Sequence, residues 1–143
     1  MHSVLRISEA ASLAIHAAAC LAGDAGRSWT TEEIAHRLHA SENHLSKVLQ
    51  RLAKAGLVQS HRGPGGGFRL AKDPSDIRLL AVYQAIEGAL PQGHCLLGRQ
   101  VCGNGACILG SFLGDVKEQL RDRLAGTRLS DLAGFCPKEG THA

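Results

Sequence analysis

The chain has 143 residues, the length of one domain, and its 44% of apolar and 20% of charged residues are those of an ordinary globular protein, not of a disordered or fibrous one. Only five residues are aromatic, which excludes the stacking surface of a single-strand nucleic-acid binder. The net charge of +3 hides an asymmetry, because residues 37–72 carry +6 and the rest of the chain therefore carries −3.

The basic segment favours a phosphate-facing surface over a basic face that is merely solvated. Its seven cations are Arg37, Lys47, Arg51, Lys54, Arg62, Arg69 and Lys72, against the single anion Glu42. No apolar run reaches the roughly 18 residues of a membrane span, and the apolar stretch 10–22 is too interrupted for a signal peptide. Five cysteines, an odd number, do not resemble a secreted disulfide framework. We therefore expect a cytoplasmic protein with no membrane partner.

The first predicted element is a helix over residues 7–22, with Ser8 as its N-cap. It is apolar nearly all round, so we expect it to be buried on most sides or packed against another subunit. Its polar exceptions, Glu9, Ser12 and His16, share one face.

The next two helices form a helix-turn-helix pattern. Thr30 and Glu33 have the spacing of a capping box, and Ser41 can cap the helix that follows a short connection at 39–41. That third helix, 42–54, carries an amphipathic stripe of Leu45, Val48, Leu49 and Leu52. Its opposite face is polar, as expected for a helix that reads the major groove of DNA.

A basic β-hairpin is predicted directly after the third helix. Gly56 ends the helix, and residues 57–70 form two short β segments around the tip Gly65-Gly66-Gly67. The glycine spacings of nucleotide-binding loops are absent. A helix-turn-helix followed by a hairpin is a winged helix. We expect Glu42, Asn43, Ser46, Lys47 and Gln50 at the bases, Arg62 in the minor groove, and Arg51, Lys54 and Arg69 on phosphates.

The rest of the chain is predicted to hold a helix at 77–87, a loop at 91–107, a long helix at 108–124 and a short turn at 129–132. The long helix has an apolar stripe at heptad-like spacing, which favours pairing with a second subunit. The fold class is therefore mainly α with a small β-hairpin wing. We divide it into a winged helix-turn-helix domain at 1–90, a cysteine-rich loop at 91–107, and a dimerisation helix with its tail at 108–134.

Three cysteines crowd the predicted loop. Cys95, Cys102 and Cys107 are separated by six and four residues in a glycine-rich stretch, with His94 beside the first. The spacing lacks the paired knuckles of a structural zinc site and the ferredoxin pattern. An iron–sulfur cluster with one further ligand fits best, and a zinc site or free thiols are the alternatives. For the other two cysteines we expect core packing at Cys20 and a free thiol at Cys136.

Seven short motifs occur along the chain: Ile7-Ser8, Leu13-Ala14-Ile15, Leu21-Ala22, Leu45-Ser46-Lys47-Val48-Leu49, Lys54-Ala55-Gly56-Leu57-Val58, Arg62-Gly63-Pro64-Gly65-Gly66-Gly67-Phe68 and Ala85-Ile86-Glu87-Gly88. Together they resemble the Rrf2 family of bacterial winged-helix transcription regulators, which includes iron–sulfur regulators. The resemblance covers residues 7–132. It implies a homodimer paired through the long helix, binding to double-stranded operator DNA, and a cluster on Cys95, Cys102 and Cys107, of 2Fe-2S or 4Fe-4S type.

The resemblance leaves the fourth cluster ligand open. Ser12 stands where some relatives have an acidic ligand, and His16 stands where a few have a histidine. Glu9 and His94 are further candidates. A histidine on so apolar a helix is more often a buried residue with its hydrogen bonds satisfied.

The sequence therefore predicts a dimeric transcription regulator whose operator affinity depends on an iron–sulfur cluster. A change in the cluster would alter the loop and the dimer helix, and so the spacing of the two recognition helices. The alternatives are a DNA-binding regulator with a zinc or thiol–disulfide switch, and a small iron–sulfur electron carrier. No nucleophile and base can be paired, so we expect neither an enzyme nor a small-molecule substrate.

Overall fold

The structure, a computed structural model, describes residues 7–90, 102–103, 108–109 and 111–139. Its helices are α1 (Glu9–Gly23), α2 (Thr31–Leu38), α3 (Glu42–Lys54), α4 (Leu79–Glu87) and α5 (Phe112–Gly126). Its strands are β1 (Val58–His61) and β2 (Gly67–Leu70), and short 3-10 turns lie at Pro74–Asp76 and Leu129–Leu132. Within these ranges no helix combines the length and the apolar character needed to cross a bilayer.

The predicted helix caps are confirmed. The Ser8 hydroxyl accepts a hydrogen bond from the Ala11 N–H at 3.1 Å, and α1 begins one residue later. Thr30 and Glu33 form the reciprocal capping box at the start of α2. The Ser41 hydroxyl accepts from the His44 N–H at 3.3 Å and fixes the start of α3. These local side chains therefore set where the first three helices begin.

Helix α1 is the central element of the fold. Eight of its fifteen residues are buried, most of them alanines, so the helices around it can approach its backbone closely. It packs against α3, α4 and the 3-10 turn at Leu129–Leu132. The prediction that this helix is buried on most sides is confirmed.

The wing consists of β1 and β2 paired antiparallel, with Ser60 opposite Phe68. The backbone of Trp29, just before α2, joins this sheet, because Trp29 and Phe68 exchange two N–H···O hydrogen bonds of 2.7 Å. Gly67 has a φ of +146°, and a Cβ there would lie 2.3 Å from the Trp29 carbonyl oxygen. Glycine is therefore required where the wing meets the helix-turn-helix.

The C-terminal helices begin later than predicted. Ile77 is extended, and its carbonyl accepts from the Leu129 N–H at 2.9 Å, so α4 starts at Leu79 instead of residue 77. Helix α5 starts at Phe112, not at residue 108. Leu124 of α5 and Leu129 belong to the same hydrophobic core as α1–α4. Backbone pairing with a distant segment thus replaces the first two predicted helical residues, 77 and 78.

The expectation of a free thiol at Cys136 is wrong. Cys136 is bonded to Cys20 in a disulfide that spans 116 residues of sequence. Cys20 is fully buried in α1, as predicted, but its sulfur is covalently engaged. The two residues become neighbours because the segment after α5 folds back onto α1.

Candidate nucleic-acid interface and cysteine sites

Helix α3 separates its apolar and polar residues between opposite faces. Its predicted stripe of four apolar residues is buried in the core. Of the predicted DNA-contacting residues on this helix, Ser46 is half-buried, and the exposed ones are Glu42, Asn43, Lys47, Gln50, Arg51 and Lys54. The Gln50 amide nitrogen lies 3.5 Å from the Ser46 hydroxyl, within hydrogen-bond range. The fold thus places these side chains together on one accessible surface.

Arg51 makes an additional contact within the fold. Its Nη2 donates a hydrogen bond of 2.8 Å to the carbonyl oxygen of Ile86, near the end of α4. The positive charge of the guanidinium is also attracted to the carboxyl-terminal end of α4, which is the negative end of the helix dipole. Arg51 therefore ties the last turn of α3 to the end of α4.

The wing presents two further predicted residues, Arg62 and Arg69, and both are exposed. Gly63 and Gly65 have φ values of +89° and +75°, and a Cβ on Gly66 would lie 2.5 Å from the His61 carbonyl oxygen. The glycines make a tight tip that holds Arg62 away from the protein body.

Trp29 stacks with two arginines and has a structural role that its sequence context does not predict. Its ring is buried, and the guanidinium carbons of Arg27 and Arg37 lie 3.6 Å and 4.8 Å from its centroid. Arg37 also donates to the Pro137 carbonyl at 3.4 Å and lies 3.9 Å from the Glu139 carboxylate. One of the seven cations of the basic segment therefore faces the C-terminal tail, residues 133–139. The only signal in the sequence was a lone tryptophan directly before a capping box.

The capping box also carries an electrostatic effect. The Thr30 N–H donates to the Glu33 carboxylate at 2.9 Å, and Arg27 lies 3.4 Å from it. The backbone hydrogen bond is the largest influence and the arginine adds to it, so the pKa of Glu33 is lowered from its ordinary value.

His16 lies at the edge of a cavity of 790 Å³ between α1, the α2–α3 connection and the tail. It is exposed, so the expectation of a buried histidine is wrong. Its Nδ1 is 2.7 Å from the Ser12 carbonyl oxygen, which can only accept, so Nδ1 is the donor of this hydrogen bond and Nε2 takes no part in it. Glu9 and Ser12, the other two candidates on this helix, line the same cavity. The remaining lining residues are Leu13, Arg37, Leu38, His39, Ala40, Ser41, His44, Pro137 and Lys138.

Of the three cysteines proposed as cluster ligands, the structure describes Cys102 alone. It is half-buried and is not in a disulfide. Cys95 and Cys107, and the candidate His94, lie outside the described residues. In the described ranges of this single chain, no three metal-binding side chains converge on one point.

Helix α5 divides its predicted stripe between two surfaces. Leu124 is buried in the core of the same chain and Leu120 packs against it, and Lys117 is also buried. Phe112 is 61% exposed, and the preceding Ile108 is 79% exposed. The amino-terminal end of α5 therefore leaves apolar side chains uncovered.

A helix-turn-helix whose second helix offers a polar face, followed by a glycine-tipped basic hairpin, defines the winged-helix class of proteins. Most of the chain, residues 7–134, matches the profile of the Rrf2 family, described as an iron-dependent transcriptional regulator. The chain belongs to this family.

Relatives named as transcription regulators agree with this assignment. The chain is 38% identical over 94 residues to the putative HTH-type regulator YwgB of Bacillus subtilis. This alignment covers 64% of this chain and 60% of YwgB. It is 34% identical to a putative HTH-type regulator of Aquifex aeolicus, over 87% of this chain and 89% of that one. It is 35% identical to IscR of Serratia proteamaculans, over 70% of this chain and 61% of that IscR. The matched part thus spans about three-fifths of YwgB and IscR.

Solved structures confirm the predicted fold class. CymR, the global cysteine regulator of B. subtilis, superposes with a TM-score of 0.77 at 26% identity, over 92% of this chain and 98% of CymR. T. potens IscR superposes with a TM-score of 0.71 at 26% identity, over 97% of this chain and 93% of that IscR. The named relatives are transcriptional regulators and not enzymes, in agreement with the expectation from sequence.

Proposed function

We propose that the chain is a cytoplasmic, homodimeric transcription regulator that binds double-stranded operator DNA through α3 and the wing. The observation that carries the proposal is the exposed polar and cationic face of α3 next to a basic hairpin, in a chain of the Rrf2 family. In this arrangement α3 lies in the major groove, and the wing reaches the neighbouring minor groove.

Each proposed contact follows from the position of the side chain. Lys47 and Gln50 lie on the exposed face of α3 and would contact base edges together with Glu42, Asn43 and Ser46. Lys54 and Arg69 would hold phosphates. Arg51 keeps one nitrogen on the Ile86 carbonyl, and its remaining N–H groups would meet the DNA backbone.

Dimerisation is supported by the uncovered apolar end of α5. Phe112 is large, apolar and mostly exposed, which is typical of an interface residue. A second copy related by a two-fold axis would cover the same patch on both chains and present two α3 helices to a palindromic site. The substitution Phe112→Glu should convert the dimer to a monomer in light scattering, and an unchanged mass would reject this interface.

We further propose that Cys95, Cys102, Cys107 and His16 hold an iron–sulfur cluster. The donor set fits, because Cys102 has a thiol outside any disulfide, and the exposed His16 uses Nδ1 for the bond to its own helix and so keeps Nε2 for a metal. When bound, the cluster supplies a centre that responds to oxidants, nitric oxide or iron supply.

The decisive experiment combines spectroscopy with DNA binding. Protein purified without oxygen should show visible absorption with bound iron and sulfide, and His16→Ala should change that spectrum. A colourless, iron-free protein that still binds DNA would select the zinc or thiol–disulfide alternative. The same protein should also be mixed with a pool of DNA duplexes of random sequence. If it contains iron but binds none of these duplexes, it would instead be an electron carrier.

A further inference from the structure

The C-terminal tail, residues 133–139, runs back along α1 in the direction opposite to the helix. A Cβ on Gly23 would lie 2.9 Å from the carbonyl oxygen of Ala133, so the two backbones are in direct contact there. Nearly one turn earlier in α1, Cys20 is bonded to Cys136. The tail therefore follows the helix for nearly one turn and is covalently fixed to it.

Beyond the disulfide, the tail reaches the helix-turn-helix. Arg37 on α2 donates to the Pro137 carbonyl at 3.4 Å and lies 3.9 Å from Glu139. The same guanidinium stacks on Trp29. Pro137 also shares the wall of the cavity that contains His16. The disulfide thus anchors a segment that touches α2 and the cavity at once.

The two cysteine residues differ in burial, which sets an order for their chemistry. Cys20 is fully buried and Cys136 is half-buried. A reagent from solvent therefore meets Cys136 first, and Cys20 is positioned to react with whatever Cys136 has bound.

We propose that Cys20 and Cys136 form a thiol–disulfide exchange site, separate from Cys95, Cys102 and Cys107, whose substrates are low-molecular-weight disulfides such as oxidised glutathione. The Cys136 thiolate attacks the small disulfide, forms a mixed disulfide and releases one small thiol. The Cys20 thiolate then displaces the second small thiol. Two protein thiols are oxidised to one disulfide, and the small disulfide is reduced to two thiols.

Oxidation at this site fastens the tail over α2, and reduction releases it. In the oxidised form Arg37 faces the Pro137 carbonyl and the Glu139 carboxylate. Reduction removes this covalent anchor, and the contacts of Arg37 with Pro137 and Glu139 are weak surface interactions that do not replace it. The site is thus a second redox input to the helix-turn-helix, and it operates whether or not a cluster is bound.

The test uses the full chain in oxygen-free buffers with different ratios of oxidised to reduced glutathione. Free thiols are blocked by alkylation, and the protein is digested without reductant for mass spectrometry. We expect a cross-linked peptide pair that contains Cys20 and Cys136 in oxidising buffers and its loss in reducing buffers. The emission of Trp29, the single tryptophan, should change over the same range, because its stacking partner Arg37 contacts the tail.

Two variants isolate the effect. Cys136→Ser changes a half-buried position and should abolish both the cross-link and the redox-dependent emission change. Cys102→Ser should retain both, since Cys102 lies outside this disulfide. Alkylation of Cys20 and Cys136 at every glutathione ratio would overturn the exchange site. An emission change that persists in Cys136→Ser would overturn the coupling to the tail.

Discussion

The substitution Arg62→Ala tests the assignment of the wing to DNA. Arg62 is exposed at the glycine-rich tip, so its removal should change the free energy of unfolding by no more than about 0.5 kcal/mol. A specific base contact of this kind contributes about 1–3 kcal/mol, so each half-site should lose roughly fivefold to 150-fold in affinity. A symmetric dimer carries two such contacts, and its total loss should be correspondingly larger.

The salt dependence of binding separates the two roles that Arg62 can have. A phosphate contact would reduce the slope of log K against log salt by about 0.9 for each copy, or roughly 1.8 for the dimer, with little change in preference between sequences. A minor-groove contact would also lower the preference for the selected operator over other duplexes.

Fluorescence anisotropy with a labelled duplex, titrated at several salt concentrations, measures both quantities. The control is Arg121→Ala, which removes the same charge from an exposed position on α5. Equal affinities for Arg62→Ala and the unmodified protein would refute the wing assignment. Equal losses in the two variants would show that net charge alone is responsible.

Three further predictions concern the joint between the wing and α2. Thr30→Ala removes the cap of α2 and should lower the free energy of unfolding, measured in urea, by about 1 kcal/mol. Thr30→Ser keeps a hydroxyl and should retain most of the stabilisation by the cap. Because the folded pKa of Glu33 is lowered, its contribution to stability is present above the ordinary value of 4.5 and is lost as the pH falls through the folded pKa. In Glu33→Gln that part of the acid destabilisation should be absent from thermal melts, and an unchanged pH profile would contradict the hydrogen-bond argument. Gly67→Ala places a Cβ 2.3 Å from the Trp29 carbonyl oxygen and should destabilise the wing. Hydrogen exchange at the amide of residue 68 should then become faster. An exchange rate equal to that of the unmodified protein would show that the close approach is not obligatory.

The elements that the sequence located correctly are those specified by neighbouring residues. The capping box at Thr30 and the stripe of α3 depend on spacings of three and four residues, and both were placed at the right positions. The glycine-rich hairpin was also found, because a turn is a local property. The starts of α4 and α5 were misplaced, and in α4 the reason is backbone pairing of Ile77 with a segment after α5.

The site residues divide in the same way. The exposed face of α3 was read from periodicity, but the hydrogen bond of Arg51 to Ile86 joins two helices and has no local signal. The exposure of His16 was misjudged, because an apolar helix does not reveal which face its neighbours leave uncovered. The position of Arg37 beside the tail was equally invisible in a count of charges.

By itself, then, the sequence determined the winged-helix pattern, the polar face of the recognition helix, and the separation of a basic from an acidic part of the chain. Helix caps, periodicity and turns depend on interactions over a few residues, so they can be predicted from the sequence alone. The tertiary structure alone decided that Cys20 meets Cys136 across 116 residues, that Trp29 extends the wing sheet, and that the tail lies on α2. Contacts of this kind arise when core burial brings distant segments together, and no local pattern encodes which distant residue will be the partner.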